Sequence, residues 1–244
     1  MLKHQLRAIL FDLDNTLTHR GKSIRRFSEY FSQVYQTDLV QIDIDVIEKI
    51  IHRIDQGGYP DVELLTHKTI GHSVAYALIQ ELHWQRKPDL DELAELWFTQ
   101  FGLCAVLMAG AEQVLQQLKS QGFKLAIVSN GGHATRLKII EGLGIQHYFD
   151  MIVSSESVGI KKPSPEIFQY VANNLQVLPQ QCLFIGDHPV NDIFGARRAG
   201  MHALMLEGFH DQEDDQVVLI QSLDEILQHI EFNAAYGYDQ GDRE

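Results

Sequence analysis

Two aspartates spaced i, i+2, Asp12 and Asp14, close a short apolar run, Ala8-Ile9-Leu10-Phe11, and are followed by Asn15 and Thr16. Side chains alternate along a strand, so the two carboxylates leave it on the same side. The carboxyl end of a central parallel strand is where open α/β sheets bind ligands, and nothing in packing asks for an acidic pair there. The plainer alternative is a solvated strand-end turn rich in Asp and Asn. A second acidic stretch, Gly186-Asp187-His188-Pro189-Val190-Asn191-Asp192, follows the apolar run Leu183-Phe184-Ile185. If these two strands are neighbours, Asp12, Asp14 and Asp187 converge. Carboxylates sharing a site repel, so either one takes up a proton or a cation holds them. All-oxygen ligands favour a hard ion, and few protein ligands plus a phosphate suit Mg²⁺ better than Ca²⁺.

Two more stretches fit the same site. Ser129-Asn130-Gly131-Gly132 offers a hydroxyl, turn amides and a following helix N-terminus, which can hold phosphate oxygens or simply start a helix. Lys162 precedes Pro163, which keeps it out of a helix; it can supply a point charge to phosphate or to an aspartate, or sit in a solvated loop. Together the four stretches carry the groups that one phosphate–Mg²⁺ site requires.

The elements that must position them are legible from periodicity. Ile24, Phe27, Phe31 and Val34 predict a first helix, and Ile44, Ile47, Ile51 and Ile54 a second. A third is expected from about 61 to 82, and a fourth from Pro88-Asp89 through Leu90, Leu93, Leu96 and Trp97. Trp84 and Trp97 read as core of this bundle. Strand–helix alternation resumes at Gly110, with apolar strands at Leu125–Val128, Met151–Val153, Leu183–Ile185 and Ala203–Leu206. Ser164-Pro165-Glu166 is a strong helix start, and Ser222 with Glu225 caps the last helix. The expected fold is α/β: a doubly wound, Rossmann-like parallel sheet core (1–18 and 104–232) with an inserted four-helix cap domain (19–103) and a loose C-terminal tail (233–244).

Composition sets limits. The chain has 244 residues, 45% hydrophobic and 22% charged, with a formal charge of −13. That balance argues against nucleic acid and anionic membrane surfaces as partners. No apolar run approaches a membrane span, and the N-terminus lacks a signal-peptide core. Cys104 and Cys182 have no metal-type spacing, so a reducing, cytoplasmic setting is expected. Monomer and homodimer stay equally open.

Asp12-Leu13-Asp14-Asn15-Thr16, Ser129-Asn130, Lys162-Pro163 with Pro165 and Phe168, and Gly186-Asp187 followed by Asn191-Asp192 resemble the four ordered motifs of the haloacid dehalogenase-like (HAD) hydrolases. The resemblance spans essentially the whole chain. It implies a Mg²⁺-dependent phosphatase of small phosphorylated metabolites, of the sugar phosphate or nucleoside monophosphate class. Asp12 would be the nucleophile that forms an aspartyl-phosphate, and Asp14 the general acid and then the general base. Ser129, Asn130 and Lys162 would bind phosphate. Asp12, the main-chain carbonyl of Asp14, and Asp187 would bind Mg²⁺, with Thr16 and Asp192 supporting. The insert would be a mobile cap. A phosphomutase of the same superfamily is the alternative; a haloacid dehalogenase, which lacks an acid two after the nucleophile, and a non-catalytic regulatory module fit less well. In the cap, Arg25, Arg26, His52, Arg53, Lys68 and His72 are candidate substrate ligands, with a solvated helix face as the plainer reading of most of them. His188 reads as a metal-site neighbour or a loop-packing residue.

Overall fold

The computed structural model describes residues 6–212 and 214–236. Along the chain lie β1 (Ala8–Phe11), α1 (Arg20–Val34), α2 (Ile44–Asp55), α3 (Ile70–Glu81), α4 (Leu90–Gln100), α5 (Ala111–Ser120), β2 (Lys124–Ser129) and α6 (His133–Leu143). There follow β3 (Met151–Ser154), α7 (Ser155–Val158), α8 (Pro165–Asn174), β4 (Cys182–Gly186), α9 (Gly195–Arg198), β5 (His202–Leu206), β6 (Val218–Ile220) and α10 (Glu225–Tyr236). The chain divides into a sheet unit, which includes residues 108–133 and everything described from 147 onward, and a helical unit of 18–107 with 134–146.

In the sheet unit the strands are all parallel, in the order β3-β2-β1-β4-β5-β6. From β1 the chain winds outward through β2 and β3, then crosses back to β4 and continues the other way. The reversal places β1 and β4 side by side at the switch point, where such sheets open a crevice at the strands' carboxyl ends. β1 is buried on both faces, as its unbroken apolar run demands. Ala8 and Leu10 pack in a core with Phe168, Val171 and Phe184, while Phe11 on the opposite face meets Phe149 edge-on. β6 was not anticipated, although Val217-Val218-Leu219-Ile220 carries an apolar signal; at three residues it is too short to separate from a loop by periodicity.

The helical unit is held by Ile24, Phe27 and Phe31 of α1, Ile47 and Ile51 of α2, Val74 and Leu78 of α3, and Leu93 and Trp97 of α4. Each large side chain buried in this way contributes about 1.5–3 kcal/mol. Trp97 stacks on Phe101 with ring centroids 4.2 Å apart and meets Phe27 edge-on, so it is core as expected. The third predicted helix is instead a short 3₁₀ turn (Val62–Leu64) and α3. Asp61 starts the turn by accepting from the Glu63 amide, and Thr69 restarts the chain as α3 by accepting from the His72 amide. Inside the unit Arg20 makes a bidentate pair with buried Asp55, at 2.8 and 2.6 Å, its guanidinium lying 5.1 Å from the Phe101 ring centroid. α6 packs closely on the 102–104 turn: a Cβ on Gly142 would lie 2.2 Å from the Gly102 carbonyl oxygen. α10 runs to Tyr236, past the expected start of the tail, whose residues 237–244 lie outside the described residues.

Candidate active site

Asp12 leaves the end of β1 with its amide donating to Ile185 of β4 at 2.9 Å, which fixes it beside the Gly186-Asp187 turn. Asn15 takes a left-handed φ of 57°, a conformation Asn tolerates better than most side chains, and turns the chain directly after Asp14. Past β4 the chain makes a wide π-type turn over Pro189–Phe194, of the kind often found at functional sites. His188 caps it: its Nδ1 accepts from the Val190 and Asn191 amides. The turn folds Asp192 back against β4, and only a glycine fits opposite, since a Cβ on Gly186 would lie 2.4 Å from Asp192 Oδ2.

Lys162 is fully buried and joins the two halves of the site. Its Nζ donates to Asp12 Oδ1 at 2.5 Å and to Asp192 Oδ1 at 2.6 Å. Asn130 anchors the Lys162 main chain at both ends, accepting from its amide at 2.9 Å and donating to its carbonyl at 3.0 Å. The Lys162–Pro163 peptide is cis. Asp192 is fully engaged, because its Oδ2 also accepts from the His188 amide.

Asp12, Asp187 and Asp192 present oxygens within 4.8 Å of one another, all buried. Asp12 Oδ2 and both oxygens of Asp187 accept no hydrogen bond among the described residues. Orphaned buried carboxylate oxygens are costly, and a cation is the partner they fit. The donor set is all oxygen, so a hard divalent ion suits it. Asp192, with both oxygens committed to protein donors, stands behind the open pair. Burial pushes Asp12 up to about 7, against the opposing pull of the Lys162 charge, and burial likewise raises Asp187 and Asp192. Lys162 is raised despite its burial, because Asp12 and Asp192 flank it.

Among the other expected residues, Asp14 and Thr16 are buried beside this loop, and the Thr16 hydroxyl makes no hydrogen bond among the described residues. Ser129 is buried at the end of β2, its hydroxyl 3.5 Å from the Asn130 carbonyl. The turn amides expected to be open are not: Gly131 N donates to Ser155 Oγ and His133 N to the Glu156 carboxylate. In the helical unit, Arg25 pairs with Glu29, Asp45 and Glu48, and Arg53 with Glu81, so both are drawn into local ion pairs. His188 makes the backbone contact of a loop-packing residue. One neighbour had no sequence signal: His210, after β5, places Nε2 3.3 Å from Asp187 Oδ2.

The haloacid dehalogenase-like hydrolase family model matches residues 6–200. A "Glyceraldehyde 3-phosphate phosphatase" from Methanopyrus kandleri is 42% identical over 87 residues, 36% of this chain and 37% of that one. The mouse "Haloacid dehalogenase-like hydrolase domain-containing protein 3" is 29% identical over 84% of this chain and 83% of its own. The matched segments thus span well under half of some relatives and most of others. Among solved structures, the putative HAD-hydrolase YfnB from Bacillus subtilis superposes with a TM-score of 0.67 at 22% identity, covering 93% of this chain and 99% of that one, a likeness of fold. Sheet topology, the four strand-end stretches and the family match agree: the chain belongs to the haloacid dehalogenase-like hydrolases.

Proposed function

We propose that this protein is a Mg²⁺-dependent phosphatase of small phosphorylated metabolites that works through an aspartyl-phosphate on Asp12. The observation that carries the reading is Asp12 Oδ2 beside Asp187, neither accepting a hydrogen bond among the described residues, with the buried Lys162 ammonium in contact with Asp12. Asp12 and Asp187 would hold Mg²⁺ together with the Asp14 main-chain carbonyl, with Thr16 and Asp192 supporting. When bound, the ion would offset charge on the phosphoryl group and keep both carboxylates ionised.

Asp12 then forms the new O–P bond as the ester O–P bond breaks, and Asp14 gives its proton to the departing alkoxide. Water attacks the same phosphorus, Asp14 takes the water's proton, and Asp12 is released with free phosphate. Lys162 and the Ser129 hydroxyl bind the phosphoryl oxygens, and Asn130 contributes by fixing Lys162. Asp14, two residues after Asp12, favours phosphate-ester over carbon–halogen chemistry. Substrate selection belongs to the helical insert 19–103, acting as a cap on the core 1–18 and 104–232.

Relatives named for glyceraldehyde 3-phosphate, phosphoserine and phosphoglycolate support short esters as the first to try, beside sugar phosphates and nucleoside monophosphates. No described helix is long and apolar enough to cross a membrane, and both cysteines are free and buried, which suits a cytoplasmic setting. The test is phosphate release from such a panel with Mg²⁺, with Ca²⁺ and with chelator. Release with Mg²⁺ alone is expected. No release from any ester sinks the reading, and an isomerised ester in place of phosphate marks a mutase.

A further inference from the structure

Asp187 is fully buried, and among the described residues it accepts no well-formed hydrogen bond. The group facing it is an imidazole outside every family-like motif. His210, in the loop after β5, lies with Nε2 3.3 Å from Asp187 Oδ2, an ion-pair distance slightly longer than a good hydrogen bond. The His210 ring is backed by the His188 ring, centroids 4.6 Å apart. His188 is itself pinned, because its Nδ1 accepts from two amides of the π-type turn. The orientation of His210 is thereby tied to the same turn that places Asp192.

We propose that His210 is a positioning residue for the cation site: by holding Asp187 Oδ2 from outside, it leaves Oδ1 alone to face the ion and so favours Mg²⁺ over Ca²⁺. The inference rests on the cation assignment above. The physical reason is ligand number. Mg²⁺ keeps several waters and takes one oxygen from each of a few carboxylates, whereas Ca²⁺ accepts six to eight oxygens and often both oxygens of one carboxylate. An oxygen drawn toward an N–H donor has one lone pair fewer to turn to an ion, which disfavours giving both oxygens at once. Outer partners that orient metal-binding groups typically govern affinity about tenfold to a hundredfold.

Metal titration of the full chain, by calorimetry or competition with a chelating dye, separates the possibilities. His210→Ala is expected to weaken Mg²⁺ binding by about tenfold or more while Ca²⁺ binding changes little or tightens, so the Mg²⁺/Ca²⁺ affinity ratio drops by about that factor. His210→Phe keeps a ring to stack on His188 but carries no N–H, and should behave as the alanine variant. His210→Gln restores a donor near the same place and should restore the ratio. If Phe matches the parent, or both ions weaken equally in the Ala variant, His210 merely packs and the proposal fails. A parent protein that binds neither ion overturns the cation assignment itself, and the proposal with it.

Discussion

Replacing Lys162 by methionine removes the ammonium that contacts two buried carboxylates while nearly preserving side-chain length. Its Nζ contacts Asp12 and Asp192 at 2.5 and 2.6 Å, and all three side chains are essentially inaccessible to water. Breaking a buried ion pair by deleting one partner costs about 3–5 kcal/mol, because the charge left behind has no solvent. For a chain of this size about 2–4 °C of Tm accompanies each kcal/mol, so a loss of about 6–20 °C is expected at pH 8 in chelator. The sign of the pH dependence follows from Asp12. Burial already raises it to about 7 with Lys162 present, and Lys162 is what pulls it down. Without the lysine Asp12 rises further. A group raised in the folded state contributes stability at low pH that is lost as pH climbs through its folded value. The variant's deficit should therefore be small at pH 5 and large at pH 8, and saturating Mg²⁺ should recover part of it. Calorimetry or urea titration at both pH values is the assay. A Lys162→Met protein within about 2 °C of the parent at pH 8 in chelator would refute the claim that this lysine neutralises the acidic site.

Asp12→Asn should leave a folded protein with no detectable turnover on any ester the parent hydrolyses, since only nucleophilicity and one charge change; assay beside circular dichroism checks it. With Asp12 poised near 7, Mg²⁺ binding must displace a proton at low pH, so affinity should fall by up to about tenfold per unit below that value, measured by calorimetry between pH 8 and 5.5. Burial pushes Cys182 up to about 12 and raises Cys104, so neither thiol should react with a disulfide reagent at pH 8 until the chain is unfolded in urea. Asp55→Ala in the helical unit removes the carboxylate that pairs with buried Arg20 and should cost about 3–5 kcal/mol by urea titration, whereas the paired apolar replacement Arg20→Met with Asp55→Leu should cost much less.

The parts of this molecule legible from sequence are those where one physical requirement acts alone. β1 had to be apolar on both faces, and its run said so; Asp12 and Asp187 announced themselves as charges at strand ends where packing had no use for them. Lys162 was legible as a charge for phosphate or an aspartate, but its pairing with Asp192 was not, because that contact depends on a π-type turn and on the missing Cβ of Gly186. At 129–133 a local reading leaves phosphate binding and a plain helix start both open; Ser155 and Glu156, distant in sequence, occupy two of the turn amides, Gly131 and His133. For Arg25 and Arg53 the sequence allows a solvated face but does not name the partners, because their acidic partners sit on neighbouring turns and helices whose packing it does not specify. His210 had no signal at all; a lone histidine in a loop gains meaning only once β5 sets it against Asp187.

Covalent phosphorylation of Asp12 is the step on which the proposed function depends. Mixing the enzyme with Mg²⁺ and an excess of its best ester, quenching in acid within the first turnover and mapping peptides by mass spectrometry tests it directly. One phosphoryl group is expected on the peptide carrying Asp12, and none in Asp12→Asn. Full phosphate release with no modified peptide at any quench time, and with turnover surviving in Asp12→Asn, would contradict it.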